Sequence, residues 1–151
     1  MPTSLSAAEK RRIENQVRQL LAHYRFRKPP VPIAHILREP PGDLLTSIDL
    51  ADLSLVFGKG EHRYEYRMAI ARLIYRELCR QQAAEEEVAL PYTPDASHYF
   101  AAALLIPRAW IQRASLWPWN DLYKLSETFQ VPHYVMAARL TELGKRTRGM
   151  T

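Results

Sequence analysis

The chain has one cysteine, Cys79, in 151 residues, so an internal disulfide is excluded and a reducing compartment fits. No apolar run reaches transmembrane length, which argues against a membrane partner. The segment from Met1 to Glu14 turns charged at once and has no apolar stretch of the kind a secretory signal carries, so the expected location is the cytoplasm. Histidine is scarce and scattered: His23, His35, His62, His98 and His133 never fall three or four residues apart, so no helix presents a histidine pair to a metal. Internal repeats are absent, and Glu85-Glu86-Glu87 is the one low-complexity run.

What is present is an ordinary globular composition, 47% hydrophobic and 25% charged, at a length suited to one domain with a real core. The net charge of +5 is uneven. Residues 1–41 carry eight Lys/Arg against three Asp/Glu, residues 42–107 six against ten, and residues 108–151 seven against three. Basic ends therefore flank an acidic middle, a pattern that suits solvated helix faces, nucleic acid or an acidic protein.

Periodicity and breakers divide the chain. Ser6 with Glu9 forms a capping box ahead of a helix to Tyr24, with Ile13, Val17, Leu20, Leu21 and Tyr24 on one stripe. Pro29, Pro30 and Pro32 break it, and a short helix follows from Ile33 to Arg38. Leu53, Leu55 and Phe57 alternate with Ser54 and Val56, which predicts a strand, with Leu45 to Ile48 as its neighbour. A long central helix is expected from His62 to Ala84, its apolar face made by Ile70, Leu73, Ile74 and Leu78. Thr93 and Pro94 open an apolar helix through Ala96 to Ile106, read as buried, and Pro107 starts another to Ala114. Asn120 is the expected cap of a helix to Phe129. Gln130-Val131-Pro132 turns into a last helix ended by Gly144. The organisation read from this is one domain: a basic helical segment (1–41), a core (42–114), a helix-turn-helix-like part (115–144) and a basic tail (145–151).

Three stretches carry a family likeness. Arg67-Met68-Ala69-Ile70-Ala71 is similar to the Arg-Phe-Thr-Leu-Ala lead into a His-Glu-Leu-Gly-His helix, and Phe100-Ala101-Ala102-Ala103-Leu104-Leu105-Ile106-Pro107 to Phe-Ala-Ala-Glu-Leu-Leu-Met-Pro. The third, Leu125 to Pro132 with Arg139-Leu140-Thr141-Glu142-Leu143-Gly144, resembles Leu-Ala-x-x-Phe-x-Val-Ser and a terminal Arg-Leu-x-x-Leu-Gly. In this order they resemble the ImmA/IrrE family of small bacterial zinc metallopeptidases, over roughly Ile33 to Gly144. The resemblance implies an α+β, mainly helical zincin-like fold with a small β-sheet before the central helix. It also implies a role near helix-turn-helix transcriptional repressors, which active members inactivate.

The resemblance places the family's two zinc histidines on Arg72 and Arg76, its catalytic glutamate on Leu73, and its acidic third ligand near Ala96, where Asp95 is the nearby acid. Guanidiniums have no lone pair for zinc, and leucine takes no proton. The expected protein is a catalytically inactive relative with no cofactor, binding a protein partner such as a repressor. Arg72, Arg76 and Arg80 form a basic stripe suited to an anion or a partner carboxylate. Alternatively, Arg72 and Arg76 pair with Asp95 as a tie between two helices.

Two other readings remain. A nucleic-acid-binding regulator would use His133, Tyr134 and Arg139 on the last helix and Lys145, Arg146 and Arg148 in the tail. A peptidase with a rebuilt metal site would need His62, His98 and Asp95 to converge.

Overall fold

A computed structural model describes residues 5–39, 64–83, 90–114 and 121–144. In chain order the helices are α1 (Ala7–Tyr24), α2 (Ile33–Arg38), α3 (Glu65–Ala83), α4 (Pro94–Leu105), α5 (Arg108–Ala114), α6 (Leu122–Phe129) and α7 (His133–Glu142). The described residues contain helices and no strand, so the architecture is helical and the α+β expectation with a small sheet is corrected. The physical reason is that the apolar faces of the helices close the core on one another, with no sheet face needed to cover them. The alternating segments expected as strands, Leu45 to Ile48 and Leu53 to Phe57, lie outside the described residues.

The helix ends follow local chemistry. At α1 the Ser6 hydroxyl accepts from the Glu9 amide at 3.1 Å, and the Glu9 carboxylate accepts from the Ser6 amide at 2.8 Å, so two orphan donors are satisfied reciprocally. That chain leaves the helix through Arg25 in the left-handed region, with Phe26 donating back to the Leu21 carbonyl at 3.1 Å. Thr93 caps α4 at 3.1 Å with Pro94 at the first position. Asp121, rather than the expected Asn120, caps α6 by accepting from the Lys124 amide at 2.8 Å. Carboxylate at that position also favours the positive end of the helix dipole. Gln130 in the left-handed region turns the chain toward α7, and Gly144 at φ +71° follows its end.

The centre of the fold is α4, not α3. Residues Phe100 to Ile106 are buried without a break, as expected of a helix apolar on every side. On one flank α3 supplies Met68, Ala71, Ile74, Tyr75 and Leu78, with the Tyr75 and Phe100 rings 4.9 Å apart. On the other, α1 brings Ile13 and Val17, and α7 brings Val135, Met136 and Leu140. Alanines at 101, 102 and 103 leave room for close helix approach, and the large side chains at their margins fill the gaps. Apolar burial on this scale, at roughly 25 cal/mol per Å², is the main force holding the bundle.

Candidate functional site

Arginine does different work at different places in this fold, and the site is best built from that division. Arg67 is buried at the start of α3. Its Nε donates to the Gln130 carbonyl at 2.9 Å and its Nη2 to the Val31 carbonyl at 2.7 Å. It therefore ties three segments together through two loop carbonyls.

Arg139, expected to face DNA, is inside. It is 3% exposed and pairs with Glu14 of α1 at 2.9 and 3.4 Å, while its Nε donates to the Ile106 carbonyl at 3.0 Å. Tyr99 of α4 donates to the same Glu14 carboxylate at 2.9 Å, and Arg108 approaches it at 3.8 Å. Burial alone would raise the Glu14 pKa. The Arg139 hydrogen bond and charge, helped by Tyr99 and Arg108, overcome it and hold the carboxyl below its usual range. The Tyr99 hydroxyl is pushed up to about 12, first by burial and then by the Glu14 charge. One ionised joint thus fastens α1, α4 and α7.

This joint is the feature the sequence reading missed. Its local signal is Glu14, which follows Ile13 and precedes Val17 by three, putting a carboxylate at the edge of the apolar stripe of α1.

The arginines along α3 behave differently. Arg76 donates through Nε to Glu77 at 3.0 Å, and Arg80 reaches the same carboxylate at 3.3 Å. Glu77 is buried, so this stripe is held by an acid on its own helix. Arg72 is half-buried and makes no hydrogen bond or ion pair among the described residues. Leu73 beside it is also half-buried. Across the groove, α4 presents exposed Asp95 and His98, with Ala96 turned into the core. The His98 pKa is lowered, first by partial desolvation and then by the Arg72 charge, with Glu65 and Asp95 acting in the opposite sense. From α7, Tyr134 donates to both Glu65 oxygens, at 2.8 and 3.0 Å. Arg72, His98, Asp95, Glu65 and Tyr134 thus form one surface cluster drawn from three helices.

A cleft of about 310 Å³ adjoins it, walled by Leu5, Asp95, His98, Ala102, Val135 and Ala138. His98 and Asp95 share this cleft, and His62 lies outside the described residues. Among the described residues no three of His, Cys, Asp and Glu gather as a metal site would require.

The outward face of α6 and α7 has little to offer a phosphate backbone. His133 stacks edge-on against Tyr123 at 4.6 Å, Tyr134 is bound to Glu65, and Tyr64 donates to Glu127 at 2.9 Å. Carboxylates Glu65 and Glu127 line the groove beside His133, which opposes an anionic duplex. Lys145, Arg146 and Arg148 lie outside the described residues. No helix of the described residues is long and apolar enough to cross a membrane. No family model, curated protein or solved structure matches the chain.

Proposed function

We propose that this chain is a non-hydrolytic relative of the ImmA/IrrE metallopeptidases that acts in the cytoplasm by binding a protein partner, a helix-turn-helix repressor being the partner the resemblance implies. The observation that supports this reading is Arg72. It stands where the resemblance puts a zinc histidine, carries a permanent charge, and pairs with no carboxylate or carbonyl among the described residues. An uncommitted, half-buried guanidinium beside a neutral imidazole and a tyrosine suits recognition of a partner's carboxylate, through the forked contacts arginine makes. Arg76 cannot supply a metal ligand, and Leu73 cannot activate water.

The nucleic-acid reading loses its principal base reader, because Arg139 is committed to Glu14. The test is binding to a purified helix-turn-helix repressor, with the repressor's length followed over time. Binding without cleavage, weakened about tenfold by Arg72→Gln, is the expected result. Cleavage of the repressor, or full affinity in Arg72→Gln, would overturn the proposal.

A further inference from the structure

A second cationic surface lies along α1, next to the cleft beside the α3 cluster. A groove of about 630 Å³ is lined by Lys10, Arg11, Arg12, Arg18 and Arg108, against two carboxylates, Glu14 and Glu142. Both carboxylates are already bound, Glu14 by Arg139 at 2.9 Å and Glu142 by Lys10 at 2.7 Å. The arginines are less fully engaged. Among the described residues Arg11 makes no hydrogen bond or ion pair, and Arg18 reaches only the neutral side chain of Asn15. Arg108 has the long 3.8 Å approach to Glu14, and the Nε of Arg12 is buried with no acceptor.

Arg11, Asn15 and Arg18 follow one another at i, i+4 and i+7, so they form a single ridge along α1. Seven residues of helix separate the two guanidiniums by about 10 Å along the axis. Carboxylates three residues apart in an extended peptide of polyproline II form lie on one side with about the same spacing, roughly 9 Å.

We infer that this groove is a docking surface for an acidic, extended segment of a protein partner. The inference rests on the protein-binding reading above and names the chemistry of a second contact. Nucleic acid fits less well for two reasons. A single strand is held by aromatic platforms on which bases stack. The groove's aromatic, Tyr99, is tied to Glu14 by its hydroxyl and lies beneath Arg139 and Lys10, 5.8 and 5.7 Å from its centre. A phosphate backbone also needs a continuous cationic track, and here Glu14 and Glu142 interrupt it. Discrete guanidiniums with acids between them suit discrete side-chain carboxylates.

The experiment uses the full chain and a fluorescent synthetic peptide with glutamate at every third position and glycine and serine elsewhere. Its comparators are the same peptide with glutamine for glutamate and a single-stranded oligothymidylate. The acidic peptide should bind, lose about tenfold in affinity in Arg11→Gln/Arg18→Gln, and keep its affinity in Arg25→Gln/Arg38→Gln, which removes equal charge elsewhere. Both ridge arginines are exposed, so helical content by circular dichroism should be unchanged. Equal losses in the two double variants, binding of the glutamine peptide, or no binding of the acidic peptide would each overturn the inference. Tighter, ridge-dependent binding of the oligothymidylate would overturn the partner class. A repressor that binds through Arg72 but ignores the ridge variant would sink the groove alone. Repressor cleavage would sink the non-hydrolytic reading while leaving the peptide result standing.

Discussion

The Glu14–Arg139 joint and the Arg72–Arg76 stripe are both built of arginine on helices packed against α4, and they differ in what surrounds the charge. In the joint, a guanidinium 3% exposed meets a carboxylate, a tyrosine hydroxyl and a backbone carbonyl, so its donors are used inside the protein. In the stripe, Arg76 leans on its neighbour Glu77, and Arg72 makes no hydrogen bond or ion pair among the described residues. The first arrangement fixes three helices, and the second leaves a cation available to something outside. Charge in a sequence therefore says little about role until its burial and its partners are known.

The largest expected effect lies at the joint. Arg139→Leu strands Glu14 in an apolar setting and should cost about 3–5 kcal/mol, read as a fall in the denaturant midpoint. Replacing both partners, Glu14→Leu with Arg139→Leu, should recover much of that loss, because no charge is left unpaired. A double variant as unstable as the single one would show that the joint is more than a charge pair. Next, Arg67→Met should cost about 3 kcal/mol, since two buried carbonyls lose charged donors. A smaller change, Ser6→Ala, should cost about 1 kcal/mol through loss of the α1 capping box. The smallest is Arg72→Gln, expected within about 0.5 kcal/mol of the parent because no hydrogen bond or ion pair among the described residues is lost. A large destabilisation there would erase the contrast between stripe and joint.

Acid and alkali should probe the joint from opposite sides. The Glu14 pKa is lowered in the folded state from its ordinary value of 4.5. Its contribution to stability is therefore present above pH 4.5 and lost as the pH falls through the depressed value, so Glu14→Gln should flatten the acid limb of a stability profile. The Tyr99 pKa is raised from 10.0 to about 12, so its contribution is present below pH 10 and lost as the pH rises toward 12. Tyr99→Phe should remove that alkaline limb. No change in either limb would mean the two groups do not share a proton-sensitive network.

Much of the helical frame is legible in the sequence because its signals are local. The Ser6/Glu9 box, the Thr93-Pro94 start, the Gln130 to Pro132 turn and Gly144 each act within a few residues, and the helices begin and end there. The run from Phe100 to Ile106 reads as buried because no face of it is polar, and it is buried. Its place at the centre of the bundle is harder to see, since α3 is longer and more visibly amphipathic. The joint is harder still: Glu14 at the edge of the α1 stripe marks one half of it, but its partner Arg139 lies 125 residues downstream and nothing local links the two. The same distance hid the difference between Arg139, which looked exposed on a reading helix, and Arg72, which looked like one member of a paired stripe. The α+β expectation came from a short alternating segment, which is a weak guide to architecture when long helices already bury one another's faces.

The most direct test of the binding-without-hydrolysis account is zinc content by elemental analysis, on full-length protein purified without chelator and equilibrated with excess zinc before desalting. The account predicts zinc far below one atom per chain, because Arg72 and Arg76 offer no lone pair at the two positions a zinc helix requires. One tightly held zinc per chain, abolished by His98→Ala or Asp95→Ala, would contradict it.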